Sequence, residues 1–222
     1  MKSLPLRLSI VFFFLINFVG SYAQQPPFYQ DIQAFKSKDS VHFPPKHAIL
    51  FIGSSSFTKW VDVQDYFPGY TIVNRGFGGS SLPDVIRYAD DIIFPYQPKQ
   101  IVIYCGENDF AASDTVSVNT VYHRFIKLFS LIRKKLPHVP IAYVSMKPSP
   151  SRQQLWDKFD EGNKLIKNLL KEKDHTAYID VYHNMLNDDG TSKIEIFTGD
   201  NLHMNAKGYK IWQKIIKPYL LK

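Results

Sequence analysis

A single cysteine, Cys105, occurs among the 222 residues of the chain. This excludes an internal disulfide and the cysteine clusters that bind structural zinc. The thiol lies within an apolar run, so we expect it to be a small buried hydrophobe. The HExxH pattern of helical zinc sites is missing as well. We therefore expect neither a metal nor a cofactor in this protein.

Apolar runs long enough to cross a membrane comfortably are also missing. The longest one, residues 8–19, follows the basic residues Lys2 and Arg7 and precedes small residues that end at Ala23. This pattern is typical of a secretory signal peptide. Gln24 rather than a cysteine follows it, which argues against a lipoprotein anchor. We expect an exported protein, periplasmic or extracellular, with no membrane span in its mature form.

Runs of charge of one sign are short. The formal net charge is +7, and loss of Lys2 and Arg7 with the signal peptide would lower it to +5. The basic residues are scattered, with small clusters at 133–135 and 171–173 that fit the solvated faces of helices. We therefore expect no nucleic-acid partner. The sequence leaves the oligomeric state open.

Apolar segments alternate with helical patterns along the chain. After the predicted signal peptide, 1–23, we assign residues 24–46 to an N-terminal arm and residues 47–222 to one domain. Such alternation predicts an α/β fold whose parallel sheet is covered by helices on both sides. The predicted strands are 48–52, 71–74, 100–105, 141–145 and 176–181. The predicted helices are 28–38, 82–94 with Ser81 as its cap, 118–136, 155–171 and 205–219.

The first predicted strand, 48–52, runs into Gly53 and three consecutive serines. Ligands of open α/β sheets bind at the carboxyl ends of the strands, so a serine here is placed to act as a nucleophile. Serine is also a common helix cap. From this segment alone, nucleophile and cap are equally supported for Ser54, Ser55 and Ser56.

A hydroxyl nucleophile needs a base and an acid that orients the base. Asp200 and His203 precede the last predicted helix and supply both from one turn of chain. In this interpretation Ser55 is the nucleophile, His203 the base and Asp200 the orienting acid. The alternative for His203 is a surface histidine at a helix start. The other histidines are expected to be structural or exposed, without a matching carboxylate or motif: His42, His47, His123, His138, His175 and His183.

Ester hydrolysis also needs hydrogen-bond donors for the oxyanion. The candidates are the backbone N–H groups of Ser55 and Gly79 and the side-chain amide of Asn108. Glycine lets the backbone approach a substrate closely, and an asparagine amide donates without carrying a charge. Structural alternatives remain, because Gly79 would suit a turn with positive φ and Asn108 would cap the segment that follows.

Four short blocks resemble the SGNH hydrolases, also called GDSL lipases or esterases, and occur in that family's order. The resemblance implies a three-layer α/β/α sandwich with a five-stranded, mainly parallel, flavodoxin-like sheet and metal-free acyl hydrolysis. It aligns Ser55 with the nucleophile, Gly79 and Asn108 with the oxyanion hole, and Asp200 and His203 with the acid and the base. The blocks are residues 51–56, 74–80, 106–109 and 200–203.

Two positions depart from the family pattern. Ser54 stands where the name-giving motif has aspartate, and Ser80 stands where aspartate is common. The choice of Ser55 over its neighbours therefore rests on the register of the motif, and the role of Ser54 stays open. Two other motifs are rejected. Residues 76–81 lack the last glycine of a dinucleotide fingerprint, and residues 53–57 lack the second glycine of an α/β-hydrolase elbow.

The combined pattern predicts an exported serine esterase that works through an acyl-enzyme. Export and the lack of a long apolar lid favour short acyl groups, such as acetyl, on a small-molecule or polysaccharide ester. The alternatives are a lysophospholipase or thioesterase and, from another class, a non-catalytic carbohydrate-binding module on the same fold. Some aromatic side chains near the blocks are candidates for stacking on a sugar, although core packing is the more common role: Phe57, Trp60, Phe77 and Phe110.

Overall fold

Five parallel strands form the central sheet of the computed structural model, which describes residues 25–222. They are β1 (Ile49–Gly53), β2 (Ile72–Gly76), β3 (Gln100–Tyr104), β4 (Ile141–Val144) and β5 (Thr176–Ile179). Their order is β2-β1-β3-β4-β5, and every neighbouring pair is parallel. This confirms the predicted flavodoxin-like sheet, with strand ends that differ by one or two residues. The predicted signal peptide lies outside the described residues.

Helices follow or precede each of these strands within the described part of the chain. Three of these helices, at 55–58, 63–66 and 107–111, are not predicted from the sequence. A helix of about one turn is too short to show an apolar period. The helices are α1 (Tyr29–Val41), α2 (Ser55–Thr58), α3 (Val63–Tyr66), α4 (Leu82–Arg87), α5 (Ala89–Ile92), α6 (Glu107–Ala111), α7 (Val118–Lys135), α8 (Trp156–Lys171) and α9 (Ala206–Ile216).

The sheet separates two apolar clusters, one on each face. Successive side chains of a strand point to opposite faces. Leu50, Ile52 and Ile103 therefore pack in the cluster that includes residues of α4, α7 and α8. Phe51 and Val102 pack in the cluster that includes residues of α2, α3 and α9. All five side chains are fully buried. The predicted three-layer α/β/α architecture is confirmed.

The predicted helix at 82–94 is wrong in its length. The N-terminus forms as expected after Ser81, whose N–H donates to the Asp84 carboxylate at 3.0 Å. The helix then breaks at Tyr88, where φ is −102° and ψ is 12°. The Tyr88 hydroxyl donates to the carbonyl of Pro27 at 2.7 Å, which ties this break to the N-terminal segment. After Ile93, whose backbone is not helical, the chain ends the region in a 3-10 turn at Phe94–Tyr96.

The last predicted helix, 205–219, is also shorter than expected. Asn205 caps α9, since its side chain accepts the N–H of Lys207 at 2.9 Å. Beyond Ile216 the chain tightens into a 3-10 turn that contains Pro218, which cannot donate a helical hydrogen bond.

Helix α1 extends to Val41, three residues beyond its predicted end. Ile32 of α1 is buried in the same cluster as α4 and α7. Asp39 of α1 forms a 2.5 Å ion pair with Arg75 of β2. None of the helices in the described part has the length and apolar character that a bilayer crossing demands.

Candidate active site

The predicted site residues all lie at the carboxyl edge of the sheet. Ser55 follows β1, Gly79 follows β2 and Asn108 follows β3. Asp200 and His203 lie in the loop between β5 and α9. The chain leaves β1 toward β2 on one side and returns to β3 on the other, so the gap between β1 and β3 is the switch point where such sheets bind ligands.

Gly53 brings the ends of β1 and β3 together. Its φ is +131°, and a Cβ at this position would lie 1.9 Å from the carbonyl oxygen of Tyr104. Only glycine fits this approach. The next N–H, that of Ser54, donates to the same Tyr104 carbonyl at 3.0 Å. The turn places Ser55 as the first residue of α2, above the switch point.

Ser55, His203 and Asp200 form a chain of hydrogen bonds. Ser55 Oγ lies 3.0 Å from His203 Nε2, and His203 Nδ1 lies 2.6 Å from Asp200 Oδ2. A carboxylate accepts at Nδ1, so that nitrogen carries the proton and Nε2 is left to accept from the serine hydroxyl. This is the geometry of a nucleophile with its base and orienting acid.

The Asp200 carboxylate is held by several donors. Its Oδ1 accepts the Leu202 and His203 N–H groups at 2.9 Å each and the Thr198 hydroxyl at 2.8 Å. Burial raises the pKa of Asp200, but the hydrogen bonds from His203, Leu202 and Thr198 outweigh it and hold the pKa well below its usual value. The acid therefore stays ionised and can keep the imidazole oriented.

The three serines have different environments. Ser55 Oγ contacts His203. Ser54 is the N-cap residue of α2, yet its side chain makes no capping hydrogen bond and instead accepts from Asn108 Nδ2 at 3.2 Å. Ser56 is buried, and its hydroxyl has no partner within residues 25–222. Of the three, the structure brings Ser55 to a base, and it replaces the capping interpretation of Ser54 with a contact to Asn108.

The three candidate oxyanion donors are two backbone N–H groups and one side-chain amide, and the amide reaches Ser54, the residue next to Ser55. Within the described chain neither the Ser55 N–H nor the Gly79 N–H donates to another group. Gly79 has φ +84°, so the turn also needs glycine for its backbone shape. Asn108 Nδ2 donates to the Ser80 carbonyl at 2.9 Å and more weakly to Ser54 Oγ. The two backbone N–H groups therefore have no partner among the described residues, whereas both hydrogens of the Asn108 amide have acceptors, the weaker one being Ser54 Oγ.

Comparison with known proteins bears on this arrangement. Residues 43–211 match the model of the GDSL-like lipase/acylhydrolase family, which covers well over half of the chain. The protein belongs to the GDSL-like lipase/acylhydrolase family. The resemblance inferred from the four blocks is thereby confirmed, and the family implies hydrolase activity on small ester substrates.

Solved structures similar to this chain share its fold at low identity. A candidate platelet activating factor from Streptococcus pneumonia has a TM-score of 0.75 at 22% identity and covers 86% of this chain and 92% of that one. A GDSL-like lipase from Bacteroides thetaiotaomicron has a TM-score of 0.69 at 19% identity, with coverage of 85% and 96%. An acetyl-xylooligosaccharide esterase variant from Geobacillus stearmophilus has a TM-score of 0.63 at 14% identity, with coverage of 81% and 96%.

A curated protein also matches this sequence. It is the N-acylneuraminate cytidylyltransferase of Escherichia coli O18:K1:H7, which is 26% identical over 199 residues. The match covers 87% of this chain and 45% of that protein. The chain therefore spans somewhat less than half the length of this relative.

Sequence reasoning missed three charged residues of the site. Arg152 donates from Nη2 to Asn108 Oδ1 at 2.7 Å, and it also pairs with Glu107, which pairs with Lys147. Glu107 lies inside the third block, but its burial depends on the tertiary structure and has no signal in the sequence. Lys147 and Arg152 lie in a proline-containing loop after β4, where no period or motif marks them.

One expectation of the sequence analysis is corrected. His183 does have a matching carboxylate, because Asp180 precedes it by three residues and its Oδ2 lies 2.8 Å from His183 Nδ1. Within the described chain, neither residue of this second pair forms a hydrogen bond with a serine. The aromatic side chains considered for sugar stacking are core residues, each at most 1% exposed: Phe57, Trp60, Phe77 and Phe110.

Proposed function

We propose that this acylhydrolase is an exported serine esterase that forms an acyl-enzyme. His203, oriented by Asp200, takes the proton of Ser55 Oγ as that oxygen attacks the ester carbonyl. The N–H groups of Ser55 and Gly79 and the amide of Asn108 hold the oxyanion. The alcohol leaves with the proton from His203. A water molecule then gives its proton to His203 and hydrolyses the acyl-enzyme.

The observation that carries this proposal is the continuous hydrogen-bonded chain from Ser55 through His203 to Asp200, at 3.0 and 2.6 Å. Its members come from opposite ends of the sequence, so chance local contacts do not explain it. The first step needs the nucleophile and its base within hydrogen-bonding distance, and this structure has them there without a ligand.

For the substrate, we propose short acyl groups, such as acetyl, on a carbohydrate. A cavity of about 400 Å³ is lined by Trp156, Gln153, Asn187 and Glu195 among others. An indole face with amide and carboxylate groups around it suits a sugar, which has apolar C–H faces and hydroxyl edges. The Geobacillus neighbour is an acetyl-xylooligosaccharide esterase, which supports the same substrate class.

This cavity borders the loop that holds the proposed acid and base. Pro150 lines it, and the next N–H, that of Ser151, donates to the Asn201 carbonyl at 3.0 Å. Glu195 lines the other side, and its carbonyl accepts from the Asn205 amide at 2.9 Å. We propose that this cavity holds the alcohol part of an ester whose carbonyl lies at Ser55.

A serine test separates an esterase from a binding module. Ser55→Ala is expected to remove turnover of p-nitrophenyl acetate and labelling by a fluorophosphonate while the protein stays folded. Ser151→Ala is the matched control, because its side chain makes no hydrogen bond within the described residues. Full activity in Ser55→Ala would refute the assignment of the nucleophile. Absence of labelling in the unmodified protein would favour the binding module.

A chain-length series then tests the substrate class. We expect p-nitrophenyl esters to be hydrolysed fastest at acetate and more slowly toward laurate, and acetylated xylan to release acetate. A preference for long chains would instead support a lysophospholipase or thioesterase.

We also propose export to the periplasm or beyond, on the signal-peptide pattern of residues 1–23. Cell fractionation, with N-terminal sequencing of the product, tests it. The expected new N-terminus is Gln24, and a cytoplasmic protein that keeps Met1 would contradict the proposal.

A further inference from the structure

A group of charged side chains is buried beneath the proposed oxyanion hole. Glu107 is 6% exposed and Lys147 is 2% exposed, with Glu107 Oε2 3.2 Å from Lys147 Nζ. Arg152, 16% exposed, contacts the same Glu107 oxygen from Nη1 at 3.3 Å. The Lys147 N–H and the Tyr104 hydroxyl also donate to Glu107. Burying three charges is costly, and the reaction steps described above use none of them.

The second branch of the Arg152 guanidinium reaches the catalytic edge. Nη2 donates to Asn108 Oδ1 at 2.7 Å. A guanidinium can only donate, so the oxygen of the Asn108 amide must face Arg152. The nitrogen then faces Ser54 Oγ and the Ser80 carbonyl. An amide turned the other way would set N–H against guanidinium and oxygen against the Ser80 carbonyl.

We propose that Arg152 is a positioning residue of the oxyanion hole: it fixes the Asn108 amide so that the N–H that donates weakly to Ser54 Oγ is the one the substrate oxygen takes up. Glu107 and Lys147 hold Arg152 in place from below. This inference rests on the proposed function, because it needs Asn108 to donate to the oxyanion.

The charged side chains beneath Asn108 also favour the transition state directly, in addition to orienting the amide. Burial raises the pKa of Glu107, but Lys147 and Arg152 outweigh it and lower the pKa, so the carboxylate is ionised. The Arg152 guanidinium, in contact with Asn108, thus places a positive charge close to the hole. Such a fixed charge, away from bulk water, favours the transition state in which the carbonyl oxygen becomes negative.

Arginine variants separate geometry from charge. Arg152→Ala leaves Glu107 paired with Lys147, so the buried pair stays balanced and the fold is expected to survive. Arg152→Gln keeps a neutral donor, and Arg152→Lys keeps the charge without the fork that reaches both Glu107 and Asn108. We expect kcat on p-nitrophenyl acetate to fall about 10- to 100-fold in Arg152→Ala with KM within about twofold. Gln and Lys should each restore part of the loss.

The matched control is Arg124, which pairs with Asp109, the residue after Asn108, at 2.9 Å and makes no hydrogen bond to Asn108. Arg124→Ala is expected to lower the melting temperature and to leave kcat within about twofold. A fall in kcat as large as that of Arg152→Ala would mean that any loss of charge near α6 has the same effect, and would overturn the inference.

A double-mutant cycle with Asn108→Ala decides whether Arg152 acts through the amide. Asn108→Ala is expected to lower kcat about 10²- to 10³-fold. Adding Arg152→Ala to it should lower kcat by less than about threefold more. A fully additive loss, or an Arg152→Ala enzyme with unchanged kcat, would overturn the inference. Fluorophosphonate labelling of Ser55 keeps the two proposals apart, since labelling with unchanged kcat in Arg152→Ala defeats only this one.

Discussion

Two aspartate–histidine pairs of the same spacing lie at the carboxyl edge of the sheet. Asp180 precedes His183 just after β5, and Asp200 precedes His203 before α9. Each has a hydrogen bond from Nδ1 to Oδ2, of 2.8 Å in the first pair and 2.6 Å in the second. In each, the histidine N–H also donates to the carboxylate. The local structure is therefore the same.

The surroundings of the two pairs differ. The His183 side chain is 67% exposed, and that of His203 is 15% exposed. His203 Nε2 meets Ser55 Oγ, whereas His183 Nε2 has no hydrogen-bond partner within residues 25–222. Each pair forms within four consecutive residues. Whether its histidine can act as a base depends on which group the rest of the fold places next to Nε2.

Replacing each histidine by alanine is expected to give the largest difference in kcat between the two pairs. His203→Ala should lower kcat on p-nitrophenyl acetate by about 10⁶-fold, because the base is lost. His183→Ala should leave kcat within about twofold. Steady-state kinetics on both variants, with circular dichroism to confirm folding, makes the measurement. Equal losses in the two variants would show that the pairs are not distinguished as the structure indicates.

Replacing each aspartate by asparagine is expected to give the next largest difference in kcat between the two pairs. Asp200→Asn should lower kcat by about 10⁴-fold, since the amide no longer holds the imidazole in the required tautomer. Asp180→Asn, which makes the same chemical change in the exposed pair, is the control and should have no measurable effect on kcat. If Asp200→Asn kept more than about a tenth of the activity, the orienting role of Asp200 would be wrong.

A smaller effect is expected from Thr198, which donates to the Asp200 carboxylate at 2.8 Å. Among the described residues, no side-chain hydroxyl donates to the Asp180 carboxylate. Thr198→Val should lower kcat about tenfold, as expected for one hydrogen bond to a charged group. The measurement is kcat at saturating p-nitrophenyl acetate. An unchanged kcat would show that the remaining donors orient Asp200 without help.

The smallest effect concerns stability and pH. The pKa of Asp200 in the folded protein lies below the value of about 3.9 for an unfolded aspartate. Its contribution to the free energy of unfolding is therefore present above about pH 4 and is lost as the pH falls through the folded pKa. Asp200 is 48% exposed, so solvent screening keeps this contribution below about 1 kcal/mol.

Urea unfolding of the wild type and of Asp200→Asn tests this. We expect a small difference in the free energy of unfolding at neutral pH that shrinks toward about pH 3. A difference that grows on acidification would contradict the assigned direction of the pKa.

Much of the fold was predictable because its signals are local. The five apolar runs, each ending in a turn, specify buried parallel strands. The break at Tyr88 was not predictable, since no local pattern marks it and the Tyr88 hydroxyl bonds to Pro27, 61 positions away. Likewise the burial of Lys147 depends on Glu107, 40 positions away, although lysine in a loop is ordinarily solvated.

By itself the sequence determined the apolar segments that form the five strands, the glycine at position 53 and the two aspartate–histidine pairs. Each of these depends on only a few neighbouring residues. Only the tertiary structure decided which pair faces Ser55, what Ser54 contacts and which charges lie under Asn108. These depend on how the parallel strands bring distant loops to one edge. A hydrogen bond of about 3 Å between residues 148 positions apart exists only once that packing is complete.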